Sequence, residues 1–315
     1  MRYQVVITDC PWQDISVERE VLAQVGISLS KSDCRNPEEV TEACRDADAL
    51  LVGWAPINRQ VIESLTRCRI IVRYGTGYDN VDVAAATSAG IAVANNPDYC
   101  VEEVATHSLA MLLACHRQLF PLTRDVAEGI WDPTRSMARM PRLSEQTLGI
   151  VGYGRIGRKL AEMATGLLKN VLIYDPQLHE AGKGITLEHL LANSDYISVH
   201  APLTDDTHHL FNAERLARMK QSAYLINCSR GQLVDTEALV RALEANMLGG
   251  AALDVFEAEP LPAGHPLRNM RNVVLTPHAA WYSTGAEHDL RANPAKKVRD
   301  YLMGKRVELL NDPAK

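Results

Sequence analysis

Polar side chains stand directly after short apolar runs in the second half of the chain. Tyr196–Val199 is followed by His200. Ala223–Ile226 is followed by Asn227-Cys228-Ser229-Arg230-Gly231. Gly250–Leu253 is followed by Asp254, with Glu257 and Glu259 close behind, and Val273–Leu275 by Thr276-Pro277-His278. Taken singly, each has a plain alternative: a surface ion pair for Arg230, a core imidazole for His200, a turn cap for Asp254. Taken together they bring a guanidinium, carboxylates and an imidazole to one set of strand ends. Imidazole is the side chain suited to proton transfer near neutral pH. Guanidinium is the planar fork that grips a carboxylate.

A second cluster sits upstream. Gly152-Tyr153-Gly154-Arg155-Ile156-Gly157 is a G-x-G-x-x-G that follows the apolar run Leu148–Val151 and opens a helical pattern through Leu160, Ala161 and Ala164. Glycines at that spacing arise by chance, but the strand before and the helix after them describe a dinucleotide site. Gly152 permits the tight turn, Gly154 lets the backbone approach a pyrophosphate, and Gly157 lets helix and strand pack closely. The helix N-terminus offers N–H groups to the anion, and Arg155 adds a phosphate contact. The next strand ends in Asp175, 18 residues after Gly157. That carboxylate accepts ribose hydroxyls and repels a 2′-phosphate, so NAD is expected over NADP.

The elements needed to hold these residues are legible along the whole chain. Val5–Ile7, Ala49–Val52, Ile70–Val72 and Ile91–Val93 alternate with helical patterns near 17–25 and 37–46. A helix is expected over Cys100–Arg117. A second series, Leu148–Val151, Val171–Tyr174 and the four runs named above, gives six candidate strands with helices between. This reads as α/β with doubly wound parallel sheets, whose ligands bind beyond the carboxyl ends of the strands. Trp131–Gln146 is rich in Arg, Met and Pro and reads as an arm and a candidate boundary. Pro294 is expected to kink or split the last helix, Gly285–Met303.

Composition narrows the function classes. Apolar residues make up 46% and charged residues 23%, an ordinary globular balance. A net charge of −6 argues against nucleic acid as a partner. The longest apolar run, Leu109–Cys115, is seven residues, short of the ~20 a membrane span needs. No signal peptide is read at the N-terminus. The seven cysteines are scattered, with no C-x-x-C, so a reducing cytoplasm is expected rather than a disulfide framework. His208-His209 lacks spaced partners, and no metal site is expected.

The strings Gly75-Thr-Gly-Tyr-Asp-Asn-Val-Asp82, the glycine loop, Asn227–Gly231, Gly250-Ala-Ala-Leu-Asp-Val-Phe-Glu-Ala-Glu-Pro260 and Leu275-Thr-Pro-His278 resemble the D-isomer-specific 2-hydroxyacid dehydrogenase family over nearly the whole chain. Val101–Glu103, Leu148–Gly152 and Pro277-His-Ala-Ala-Trp-Tyr-Ser283 are most similar to its C-terminal binding protein branch. The resemblance implies two Rossmann-like or flavodoxin-like domains. The NAD-binding domain, 101–285, would be inserted into a split substrate domain, 1–100 and 286–315. It further implies a homodimer built through the cofactor domains.

Matched residue by residue, the resemblance makes Arg230 the substrate-binding arginine, Glu259 the catalytic glutamate and His278 the general acid. Thr76, Ile156, Cys228, Ser229, Asp254 and His278 would join the glycine loop and Asp175 around NAD. Gly75, Thr76, Gly77, Arg230 and Trp281 would contact a 2-keto or 2-hydroxy acid, with Trp281 pointing to an apolar or bulky side chain. Two other readings stand beside this one: an NAD(H)-sensing regulatory protein, and a 3-phosphoglycerate dehydrogenase, for which Arg73 is an available phosphate partner.

Overall fold

Runs of Val, Ile, Leu and Ala too short for helices, each bounded by polar turns, form parallel strands buried on both faces. In this computed structural model, residues 3–134, 140–180 and 184–313 are described. The chain forms two compact units, Met1–Cys100 with Tyr282–Lys315, and Val101–Trp281.

The first unit holds β1 (Gln4–Ile7), β2 (Ser28–Lys31), β3 (Ala49–Val52), β4 (Ile70–Arg73) and β5 (Ala92–Ala94). They pair in parallel in the order β2-β1-β3-β4-β5, the flavodoxin-like winding. The crossovers carry α1 (Ser16–Ala23), α2 (Pro37–Cys44), α3 (Arg59–Ser64) and α4 (Val83–Ser88). Asn36, Asn58 and Asp82 cap α2, α3 and α4 by accepting backbone N–H groups of their first turns. Val6, Leu50, Val52, Ile71 and Val93 form the centre of one apolar core.

The second unit begins with α5 (Val101–His116) and α6 (Leu119–Ala127). Its strands are β6 (Thr147–Val151), β7 (Asn170–Tyr174), β8 (Tyr196–Val199), β9 (Tyr224–Asn227), β10 (Gly250–Leu253) and β11 (Val273–Leu275). The order is β11-β10-β9-β8-β6-β7, again parallel throughout. Its helices continue with α7 (Arg155–Ala164), α8 (Pro176–Glu180), α9 (Leu187–Asn193), α10 (Ala213–Ala217) and α11 (Thr236–Glu244). Winding reverses between β6 and β8, which puts a ligand crevice at the carboxyl end of β6. The last helix, α12 (Thr284–Leu302), belongs to the first unit.

One strand is added and two expectations change. β2 carries no apolar run to announce it: Ser28-Leu-Ser-Lys31 is a half-exposed edge strand paired with β1. Pro294 does not split the last helix, because α12 continues through it. Leu290, Ala292, Pro294, Ala295 and Val298 are all buried there, and this packing outweighs the one hydrogen bond a proline forfeits. Trp131–Gln146 marks no division between units, and its residues 135–139 lie outside the described ones. Among the described residues, no helix is long and apolar enough to cross a membrane.

Candidate active site

The glycine loop leaves β6 at the point where winding reverses. Gly152 has φ +94°, and a Cβ there would overlap the backbone of His200 and Ala201. A Cβ on Gly157 would overlap the Gly152 carbonyl. Contacts within the protein therefore explain both residues. Gly154 is different. Its φ is −74° and a Cβ would meet nothing within 4 Å, so neither conformation nor packing within the chain requires glycine. The open space lies at the start of α7, whose first turn has no side-chain cap and no acidic residue. A helix N-terminus with an unobstructed approach fits a dinucleotide pyrophosphate.

Asp175 follows β7 and is held firmly. Its carboxylate accepts the Tyr153 N–H at 2.8 Å and the Gln177 N–H at 3.0 Å. Each oxygen keeps a second lone pair for a ribose hydroxyl. Arg155 is exposed on the first turn of α7 and Ile156 is half-buried. Arg158 donates to the Tyr153 carbonyl at 2.9 Å and lies 5.4 Å over the Tyr153 ring, bracing the loop from outside.

Glu259 and His278 meet across two loops. His278 Nδ1 is 2.8 Å from Glu259 Oε2, and the Phe256 N–H donates to Glu259 Oε1 at 2.9 Å. Both side chains are about one-third exposed, at 37% and 36%. Burial alone would raise the Glu259 pKa. The hydrogen bonds from His278 and the Phe256 N–H, with the charges of His278 and Arg230, more than offset this and hold it below the usual value. Arg230 follows β9 with an extended backbone and leads into a short 3-10 turn, Gly231–Leu233. Its Nη1 donates to the Ser229 carbonyl at 3.0 Å, and the Asn227 amide donates to the Arg230 carbonyl at 2.8 Å.

Beneath His278 lies Asp254, in the turn-capping role that stood as its plain alternative. His278 has φ +55°, an uncommon conformation for a residue with a Cβ. Its N–H donates to the Asp254 carbonyl at 2.8 Å. The fully buried Asp254 carboxylate accepts the Ala279 N–H at 2.9 Å, the Ala280 N–H at 2.9 Å and the Thr276 hydroxyl at 2.5 Å. His107, on α5, meets Thr276 Oγ1 at 3.1 Å through Nε2. Asp254 thus gathers the turn that carries His278.

The other singled-out residues separate. Glu257 pairs with His209 at 2.7 Å and accepts the Thr236 N–H at 2.9 Å, apart from the Glu259–His278 pair. His208 stacks on His209 with ring centroids 4.1 Å apart. His200 meets Ser198 Oγ at 2.9 Å, and burial pushes its pKa down to about 4, so it is neutral at physiological pH. The Cys228 thiol is buried against Met111, and burial pushes it up to about 12; only its backbone is left for a ligand. Ser229 Oγ donates to the Ala201 carbonyl at 2.7 Å. Trp281 is half-buried.

In the first unit, Gly75-Thr76-Gly77 follows β4 and is pinned from one side. The Asn96 N–H donates to the Gly75 carbonyl at 3.1 Å, Thr76 Oγ1 donates to the Asn96 carbonyl at 3.3 Å, and the Asn95 amide donates to the Thr76 carbonyl at 2.6 Å. A Cβ on Gly75 would overlap the Arg73 guanidinium, so that cation packs directly against the loop.

A doubly wound sheet with an open glycine cradle and an imidazole–carboxylate pair defines a nucleotide-dependent oxidoreductase. Comparison with known proteins sharpens this. The model of the D-isomer specific 2-hydroxyacid dehydrogenase NAD-binding domain matches residues 109–280. A glyoxylate reductase of Korarchaeum cryptofilum is 40% identical over 280 residues, covering 86% of this chain and 83% of that one. A D-3-phosphoglycerate dehydrogenase of Synechocystis is 36% identical over 90% of this chain, which spans 51% of that longer protein. The crystal structure of a D-lactate dehydrogenase from Aquifex aeolicus, complexed with NAD and lactic acid, superposes with a TM-score of 0.83 at 30% identity. It covers 95% of this chain and 96% of its own. The chain belongs to the D-isomer specific 2-hydroxyacid dehydrogenase family and is an NAD-dependent enzyme of that class.

Proposed function

We propose that the protein reduces a 2-keto acid to the D-2-hydroxy acid at the expense of NADH, with His278 as general acid, Glu259 as its partner and Arg230 as the substrate fork. The observation that carries this reading is the 2.8 Å contact between His278 and Glu259, on a turn braced by buried Asp254, in the unit that also holds the glycine cradle. Bound NADH supplies the hydride to C2. His278 would deliver a proton from Nε2 to the carbonyl oxygen while Nδ1–H stays on Glu259. Glu259, ionised at neutral pH, fixes the ring orientation and stabilises the imidazolium. Arg230 presents two N–H groups in one plane to the carboxylate and the carbonyl oxygen. Backbone N–H groups of the Gly75–Gly77 loop complete the carboxylate site. Gly152, Gly154, Arg155, Ile156 and Gly157 hold the pyrophosphate, and Asp175 holds the adenosine ribose. Thr76 and the Cys228–Ser229 backbone line the cofactor nearer the reacting carbon, Asp254, fully buried, acts from beneath the His278 turn, and Trp281 lines the substrate side chain.

The protein is further proposed to work as a homodimer in a reducing cytoplasm. Leu119, Phe120 and Val126 on or beside the outer face of α6 are 52%, 51% and 57% exposed, and Trp131 is 86% exposed. That is a run of apolar surface of the kind a second copy covers. All seven cysteines are free thiols. The experiment for the reaction follows NADH oxidation with glyoxylate, pyruvate, hydroxypyruvate, phosphohydroxypyruvate and branched keto acids. Turnover on one supports the reading and names the side-chain class. Preference for phosphohydroxypyruvate selects the phosphoglycerate reading. Tight NADH binding with no turnover on any removes the enzymatic reading in favour of a regulatory one.

A further inference from the structure

α12 has no residue in the chemistry, yet three polar links run from it to the segment around Gly75–Gly77. The first is a buried ion pair. Glu18 on α1 is fully buried, and Arg291 on α12 is 8% exposed. Arg291 Nε meets Glu18 Oε1 at 3.2 Å and Nη2 meets Oε2 at 3.1 Å, a two-pronged contact. Two further groups complete the same carboxylate: Trp12 Nε1 donates at 3.0 Å and the Tyr74 hydroxyl at 3.4 Å. Arg291 also lies 5.2 Å over the Trp12 ring, whose edge packs on Tyr74 at 5.2 Å. Burial, with Glu18 beside it, pushes the Tyr74 phenol well above its usual range, so it stays an O–H donor. Tyr74 is the residue immediately before Gly75.

The second and third links arrive through Asn95 and Asn96. The Asn96 amide donates to the Asp289 carbonyl on α12 at 3.2 Å, and Lys297 Nζ donates to the Asn95 carbonyl at 2.8 Å. Asn95 and Asn96 are the residues that hold the Gly75 and Thr76 backbone. Asn96 is 2% exposed. A buried amide and a buried ion pair both converge on three consecutive residues, Tyr74, Gly75 and Thr76. A single ion pair is a weak stability argument, because desolvation offsets much of the attraction. What such groups supply is one defined geometry, because any other arrangement strands a buried charge or an unpaired amide.

We propose that α12 is the positioning element of the Tyr74–Gly77 loop, acting on Tyr74 through the Glu18–Arg291 pair and on Gly75 and Thr76 through Asn95 and Asn96. The inference rests on the reading that this loop holds the substrate carboxylate, and it makes Glu18, Tyr74, Asn96 and Arg291 positioning residues that never touch substrate. A loosened loop loses carboxylate affinity without touching proton transfer, so KM moves and kcat stays close.

The test uses the full chain with Tyr74→Phe, which removes one hydroxyl and keeps the ring packing, and Asn96→Ala. Amide hydrogen exchange is followed by peptide, and NADH-dependent kinetics are run in parallel. Expected are at least tenfold faster exchange confined to residues 74–80, at least a tenfold rise in KM for the keto acid, and less than a threefold fall in kcat. Arg291→Lys, which keeps the charge and loses the two-pronged contact, falls between wild type and Arg291→Met. Unchanged exchange at 74–80 overturns the inference, and so does acceleration spread evenly over β1, β3 and α1 with KM unmoved. Wild-type protein that turns over no keto acid overturns the proposed function instead, and the exchange pattern still decides the inference.

Discussion

In the six-stranded sheet the chain leaves β6 through Gly152-Tyr153-Gly154 and enters α7 uncapped, with no acid in the first turn. In the five-stranded sheet it leaves β1 through Thr8–Ile15, a stretch without glycine, and enters α1 with Glu18 in the first turn. The two crossings occupy the same topological position, at the reversal of a parallel sheet. A helix N-terminus there carries partial positive charge in both cases. In α7 that charge is left open for a ligand. In α1 it faces a buried glutamate already satisfied by Arg291, Trp12 and Tyr74. Doubly wound topology therefore provides a place for a dinucleotide, and the residues of the first turn decide whether one binds. A second device is shared. Asp254 gathers the His278 turn through backbone N–H groups, and Asp9 gathers Gly53, Trp54 and Ala55 in the same way, at 3.0, 2.5 and 3.1 Å. Only the first of these turns carries an imidazole.

Substitutions in the crossings test this comparison. Gly154→Asp places a carboxylate at the open N-terminus of α7 and so copies the electrostatics of α1. NADH affinity should fall by about 30-fold, the equivalent of the ~2 kcal/mol a charge is worth at a helix end. Because a Cβ at Gly154 meets nothing within 4 Å, thermal stability should hold. A matched loss of both, by calorimetry and fluorescence titration, would mean that the glycine serves packing alone. Gly157→Ala should do the reverse first: the added methyl overlaps the Gly152 carbonyl. Urea unfolding should report roughly 1–3 kcal/mol of lost stability, as in other overpacked sites.

Asp175→Ala should narrow the preference for NADH over NADPH by about tenfold, or ~1.4 kcal/mol. Steady-state kinetics with both cofactors would show no change if another residue sets the choice. The smallest effect is in titration. Glu259 has a folded pKa held below its ordinary value, so its contribution to stability is present above that ordinary value. It is lost as pH falls through the depressed one. Carbon NMR of the carboxyl should show titration below 4.5 in the wild type. His278→Gln, which removes the imidazolium charge, should move that titration upward.

Most of the fold was legible because fully buried parallel strands have to be continuous apolar runs. β3, β8 and β10 are buried at every position and stand where their runs predict. β2 was not legible, because an edge strand with half-exposed serines has no such constraint. Pro294 does not split α12, because the packing of a buried helix, which local propensity does not count, outweighs one lost hydrogen bond. In the site, residue types and strand ends brought forward Arg230, Glu257, Glu259 and His278, and the family resemblance chose Glu259. Spacing alone did not tell Glu257 from Glu259, two acids on one loop, since the choice of histidine is made by tertiary contacts. It also did not reveal that the Asp254 carboxylate lies fully buried under the His278 turn.

Proton transfer is proposed to belong to His278 and cofactor binding to the glycine loop. The most direct measurement compares wild type and His278→Ala for NADH oxidation with the preferred keto acid, alongside NADH binding followed by fluorescence. The account predicts a fall in kcat of roughly 10²–10⁴ with NADH affinity within about twofold. An unchanged kcat, or loss of turnover that merely tracks loss of NADH binding, would contradict it.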